Sequence, residues 1–174
     1  MREFDFGSWV SEEFVGEKIP AFEEFISFCR NAGLYPYIEL KEGITEERAN
    51  MLMRLVKMYG MQRNVSWISF YADSLHYIKN VDYKARLGFL SHHIREKEVS
   101  VAESLKTDGN EVFIDADYKS VNQKTVELCL NANIPIEVWT IDTPEEIVAL
   151  NPYVTGITSD NLIAGQVLCE HYLA

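Results

Sequence analysis

The chain has 174 residues, enough for a single domain over 1–174 that buries roughly two thirds of its unfolded surface. Apolar residues make up 47% and charged residues 25%, a globular balance that argues against disorder. Lys and Arg total 16 against 27 Asp and Glu, and the resulting net charge of −11 repels nucleic acid phosphate and anionic lipid. No apolar run approaches the ~18 to 20 residues that span a bilayer. Glu3 and Asp5 interrupt any signal-peptide core at the start of the chain.

In chain order, short apolar runs alternate with helical stretches. Pro20 fits a first helical position, and Phe22, Phe25, Ile26 and Cys29 follow at helical spacing up to Gly33, a C-cap residue. Tyr35-Pro36-Tyr37-Ile38-Glu39-Leu40-Lys41 reads as the first strand. Thr45 caps a helix with Glu46 and Glu47 in its first turn and Leu52, Leu55, Val56 and Tyr59 as its apolar stripe. Val65-Ser66-Trp67-Ile68-Ser69-Phe70 is a second strand, followed by a short helix from Asp73 to Lys79. A third, weaker strand runs through Ala85-Arg86-Leu87-Gly88-Phe89-Leu90. Arg95-Glu96-Lys97-Glu98 then reads as a solvated helix start.

Glu111-Val112-Phe113-Ile114-Asp115 is the fourth strand, and Ser120 is the expected cap of the helix carrying Val126, Cys129 and Leu130. Ile136-Glu137-Val138-Trp139-Thr140-Ile141 is the fifth. Thr143-Pro144-Glu145-Glu146 forms an N-cap, a proline at N1 and an acidic first turn. Val154-Thr155-Gly156-Ile157-Thr158 is the sixth strand, with a final helix over residues 161–172. Strict alternation implies parallel strands joined by right-handed crossovers, in an open sheet or a (β/α) barrel. No Gly-rich loop follows any strand, which disfavours dinucleotide binding.

In such folds chemistry gathers at the carboxyl ends of the strands. Glu39 and Lys41, two apart, share one face of the first strand. They read as an internal salt bridge or, more sharply, as a metal-binding carboxylate beside a phosphate-contacting lysine. Phe70 and Trp139 end the second and fifth strands, as packing or as walls for the apolar part of a substrate. Asp115 and Asp117 are a further same-face pair, read as loop-capping residues, with a share in cation binding as the alternative. His92 and His93 read as loop residues, and His76 and His171 have no companions. Cys29, Cys129 and Cys169 are too scattered for a disulfide framework or a metal site; Cys29 and Cys129 read as buried thiols.

Five segments taken in order carry a resemblance: Ile19-Pro20-Ala21-Phe22-Glu23-Glu24, Ile38-Glu39-Leu40-Lys41, Ile68-Ser69-Phe70, Val138-Trp139-Thr140-Ile141-Asp142 and Gly156-Ile157-Thr158-Ser159-Asp160. Their order and spacing resemble the glycerophosphodiester phosphodiesterase family, whose members fold as (β/α)8 barrels. Phe6-Gly7-Ser8-Trp9 is similar to the segment leading into that family's Ile-Pro-Thr-Leu-Glu-Glu helix. Ala21 and Phe22 replace Thr and Leu there, and Ser159 interrupts the closing Thr-Asp.

The resemblance implies an incomplete TIM-type barrel of six parallel βα units. The first two units, with the family's His-Arg, Glu-x-Asp and His-Asp motifs, have no counterpart in this sequence. It implies a metal-dependent hydrolase of lipid metabolism that cleaves glycerophosphodiesters to an alcohol and glycerol phosphate. Glu39 matches the family's remaining metal-ligand carboxylate, Lys41 its phosphate-contacting lysine and Trp139 its substrate-lining tryptophan, with Phe70 a weaker match to the same wall. Ca²⁺ or Mg²⁺ is the implied cofactor, weakly held here because one matched carboxylate is a poor site for a cation wanting several oxygens.

Without the two catalytic histidines this chain is expected to be nearly inactive alone, with Met1 as an internal start of a longer enzyme. A non-catalytic barrel remnant, or a module completed by a partner, is the alternative. The expected partners are a small phosphodiester and a second copy joined through exposed strand edges. The default location is cytoplasmic, unless an upstream segment carries a signal.

Overall fold

A computed structural model of the chain describes residues 3–162 and 165–167. Six strands, β1 (Tyr37–Glu39), β2 (Ser66–Ser69), β3 (Arg86–Ser91), β4 (Val112–Asp117), β5 (Ile136–Trp139) and β6 (Val154–Ile157), form one sheet in sequential order. Every adjacent pair is parallel. Helices fill the crossovers: α1 (Phe22–Ala32) precedes β1, and α2 (Glu46–Met58), α3 (Ala72–Val81), α4 (Glu96–Leu105), α5 (Gln123–Asn131) and α6 (Pro144–Val148) follow β1 to β5 in turn. The sheet curls so far that the Tyr37 hydroxyl on β1 reaches Glu137 Oε1 on β5 at 3.4 Å. This is the expected incomplete TIM-type barrel.

Strand alternation sorts the side chains into two layers. Trp67, Leu87, Val112, Ile114, Ala116, Ile136 and Val138 face outward and form the core with Ile26, Met53, Val56, Leu75, Ile78, Ala102, Val126 and Ile147 of the helices. The opposite face lines the barrel interior. There Gly88 lies beneath the fully buried Phe113 ring: a Cβ at Gly88 would stand 2.4 Å from Phe113 Cζ and 2.8 Å from Ile68 Cγ2. Both obstacles are packed side chains. Gly88→Ala should therefore lower stability by about 1–3 kcal/mol, read as a lower urea midpoint at an unchanged m-value.

The helix ends show where sequence signals held. Gly33 ends α1 in the left-handed conformation, at φ 68°, and its N–H reaches the Arg30 and Cys29 carbonyls. Helix α1 begins at Phe22 rather than at Pro20, with the Glu24 carboxylate accepting from the Ala21 N–H. Thr45 and Thr143 cap α2 and α6 as expected, through the Arg48 and Glu146 N–H groups. Ser120 does not cap α5. It ends a one-turn 3-10 helix, and Asn122 caps instead, accepting from the Lys124 and Thr125 N–H groups. Helix α3 runs a turn longer than Asp73 to Lys79. Most of the expected last helix, with Cys169 and His171, lies outside the described residues. Cys29 and Cys129 are buried, and burial pushes the Cys129 thiol up to about 11, which fits an inert packing role.

At the start of α6, Glu146 joins two segments that lead away from the strand ends. It accepts from the Tyr118 hydroxyl (2.6 Å) and from the Asp142 and Thr143 N–H groups (both 3.1 Å). The Tyr118 bond first, then these N–H donors, hold its carboxyl down at about 2. A depressed carboxylate contributes stability that is present above its unfolded value of 4.5 and lost as pH falls through about 2. Glu146→Gln should flatten the melting temperature against pH across that window, a difference that thermal denaturation at a series of pH values will read.

Candidate active site

The barrel interior is built from polar layers, starting at its floor. Arg86 enters from the first position of β3, where its guanidinium donates to Glu137 Oε1 (2.5 Å), Glu111 Oε1 (2.8 Å), the Tyr37 hydroxyl (2.8 Å) and Ser66 Oγ (2.5 Å). The Phe113 ring lies against it at 4.3 Å. Burial works against the Arg86 charge, but the hydrogen bond and charge of Glu137, then Glu111 and Tyr37, raise its proton affinity overall. This network closes the amino-terminal end of the barrel.

Above the floor, at the carboxyl ends of the strands, a cleft of about 340 Å³ opens. Glu39 at the end of β1, Lys41 just after it, Phe70 after β2, Leu90 on β3, Asp115 on β4 and Trp139 on β5 line it together, with Thr158 and Asp160 beyond β6. Glu39 and Lys41 form an ion pair at 3.5 Å. The Lys41 side chain is 79% exposed, so the pair is weak and the ammonium is free to swing.

Phe70 and Trp139 meet edge to face at 6.0 Å, and a third ring joins them. His92 stacks on Phe70 at 5.2 Å and meets Trp139 at 5.3 Å. His92 lies in the loop after β3, as expected, yet its ring packs on both aromatic residues that line the cleft. Its position just past a strand end was the available signal. His93 instead closes its loop on Ser91 Oγ. The far rim is fixed by Asp142, which accepts from the Ser159 hydroxyl (3.1 Å) and the Asp160 N–H (2.8 Å).

The two aspartates of β4 part company. Asp117 caps the following turn through the Lys119 N–H, as expected. Asp115 does not cap a loop. It is 1% exposed, lines the cleft, and leaves its Oδ1 without a hydrogen-bond partner. Burial, then the negative charges of Glu137 and Glu39, push its carboxyl up to about 7 against the pull of Arg86. Trp139 holds the same strand, its indole N–H donating to the Asp115 carbonyl at 3.1 Å.

The side chains facing the cleft suit a hard cation by donor type, since Glu39 and Asp115 offer oxygen only and one buried oxygen is unpaired. Among the described residues, no group of three His, Cys, Asp or Glu is arranged to hold a metal ion. Of the three carboxylates that line the cleft, Glu39, Asp115 and Asp160, only Asp115 is buried.

A curled parallel sheet with its cleft at the strand carboxyl ends defines the class, a partial TIM-type barrel built like an enzyme. The chain belongs to the glycerophosphoryl diester phosphodiesterase family, which matches residues 1–164. Solved structures agree on the fold. A glycerophosphodiester phosphodiesterase from Parabacteroides distasonis is 22% identical, with a TM-score of 0.69 over 89% of this chain and 66% of that one. One from Agrobacterium tumefaciens is 19% identical, with a TM-score of 0.70 over 94% and 69%. An Oleispira antarctica phosphodiesterase in complex with the product sn-glycerol-3-phosphate is 16% identical, with a TM-score of 0.73 over 96% and 68%. The chain spans 58 to 69% of the length of such structures. No curated protein matches its sequence. Among the described residues, no helix is long and apolar enough to cross a membrane.

Proposed function

We propose that this chain forms the phosphate-binding side of a metal-dependent glycerophosphodiester hydrolase. A barrel completed by two further βα units would cleave its substrate to an alcohol and glycerol phosphate. The observation that supports this most is the grouping of Glu39, Lys41, Phe70 and Trp139 around one cleft at the strand carboxyl ends. Glu39 would hold the divalent cation, Ca²⁺ or Mg²⁺, which when bound neutralises charge on the phosphodiester. Lys41, loosely paired and exposed, would turn from Glu39 toward the phosphate and stabilise charge there in the transition state. Phe70 and Trp139 would wall the apolar part of the substrate and keep water from it.

Proton transfer at the attacking and leaving oxygens is work for the family's two acid–base histidines, and this chain has no match to either. Each such group typically contributes ~10²–10⁴-fold, so the chain alone should turn over almost nothing. An assay of glycerophosphodiester hydrolysis, with and without the two upstream units, tests the reading. Hydrolysis only by the completed barrel supports it. No hydrolysis by either would leave a non-catalytic barrel remnant.

The open edges of β1 and β6 favour association. The 174-residue chain should self-associate through them, and light scattering should report a mass above that of the monomer. A clean, stable monomer would count against this edge pairing.

A further inference from the structure

The charged side chains lining the cleft are the carboxylates of Glu39, Asp115 and Asp160 and the ammonium of Lys41. Glu39 and Lys41 have work in the proposed reaction, and Asp160 is exposed beyond β6. Asp115 has none. It is 1% exposed, and its Oδ1 has no hydrogen-bond partner. A buried polar atom without a partner is uncommon enough to need a cause. The cation whose pull Asp115 feels is Arg86, already bound by Glu137, Glu111, Tyr37 and Ser66 on the floor. What Oδ1 lacks is a donor that brings positive charge with it. The aromatic residues of the cleft favour the same kind of group. Trp139 is tied to Asp115 through its indole N–H, Phe70 meets Trp139 at 6.0 Å, and aromatic faces attract ammonium ions.

We propose that Asp115 accepts a hydrogen bond from a primary ammonium group on the substrate's alcohol, so that this cleft prefers glycerophosphodiesters whose head group is a primary amine. The inference rests on reading the cleft as a phosphodiesterase mouth, and names the head group that this reading leaves open. The choice of a primary amine follows from the acceptor. A primary ammonium brings three N–H donors, whereas a quaternary ammonium brings the same charge and no donor. Phe70 and Trp139 would attract both, so the rings alone do not separate them. A buried acceptor does, because a head group without a donor leaves it unpaired. A neutral polyol offers donors but no positive charge to set against the carboxylates of the cleft. Asp115 is thereby the residue that sets specificity, while Lys41 would meet the phosphate.

Calorimetric titration of the whole 174-residue chain in metal-free buffer tests this, with glycerophosphoethanolamine, glycerophosphocholine, glycerophosphoglycerol and ethanolamine as probes. The first two carry the same net charge, so a difference between them reads the N–H donors. The expected result is glycerophosphoethanolamine bound at least about tenfold more tightly than either other diester, with that preference lost in D115N. Circular dichroism checks that the variant folds, and D115S takes its place if it does not. Equal affinity for the three diesters, binding of none of them, or a preference kept in a folded Asp115 variant would each overturn the proposal. Ethanolamine alone should bind more weakly than its diester. Equal binding would make this a site for free amines and overturn the head-group assignment. Hydrolysis by a completed barrel is decided by its own assay. Hydrolysis without any head-group preference in binding would uphold the proposed activity and overturn this inference alone. The preference without hydrolysis would uphold the ammonium site and overturn the activity.

Discussion

Replacing Arg86 with methionine is expected to cost about 3–5 kcal/mol of stability, because it breaks a buried ion pair from one side. Glu137 is 6% exposed and takes its charged partner from Arg86 at 2.5 Å. It also accepts a longer hydrogen bond from the Tyr37 hydroxyl, at 3.4 Å. Methionine fills much of the volume beside Phe113 but leaves the carboxylate uncompensated and Ser66 Oγ without its donor. Urea denaturation should show the drop as a lower midpoint. Adding Glu137→Gln to the same chain should recover part of it, since an amide replaces the stranded charge. If the single Arg86 variant unfolds within about 0.5 kcal/mol of the parent, the network closing the barrel floor is not holding the interior together.

In a barrel completed by the two upstream units, Glu39→Gln should abolish metal-dependent turnover. The substitution keeps the shape of the side chain and removes the charge proposed to bind the cation, and would take with it the electrostatic stabilisation of the phosphodiester. Lys41→Ala in the same protein should lower turnover by about 10²–10³-fold, the scale on which one donor aimed at developing charge acts. The two losses should differ in kind. Extra Ca²⁺ or Mg²⁺ should not rescue Lys41→Ala, because Glu39, the proposed metal ligand, is intact. Initial rates across a metal titration separate the cases, and turnover that is indifferent to Glu39→Gln would confine the family likeness to the fold.

What could be read without the structure was whatever repeats locally. The six strands stand out as short apolar runs, and Thr45, Gly33 and Thr143 mark helix ends because a cap acts within a turn of its own position. The cap of α5 slipped by two residues because Ser120 and Asn122 are both competent, and a 3-10 turn ahead of the helix chose between them. The barrel floor was invisible for a different reason. Arg86 meets Glu111 and Glu137 across 25 and 51 residues of chain, and nothing in an isolated strand says which charges will meet across a curled sheet. Even so, Glu137 between Ile136 and Val138 carries the same mark as Glu39 between Ile38 and Leu40: a lone carboxylate at an inward strand position. Asp115 reads as a loop-capping residue at the end of its strand, but the strand continues two residues past it, to Asp117, which takes the capping role.

The most direct measurement follows glycerol phosphate release from a glycerophosphodiester by ³¹P NMR, with Ca²⁺ or Mg²⁺ supplied, for two proteins side by side. One is the 174-residue chain. The other is the same chain preceded by βα units bearing the His-Arg, Glu-x-Asp and His-Asp motifs. Negligible release from the first and metal-dependent release from the second is the expected result. Release from the first alone, at a rate comparable to the second, would contradict it and move attention to His92, whose ring packs on two residues that line the cleft, Phe70 and Trp139.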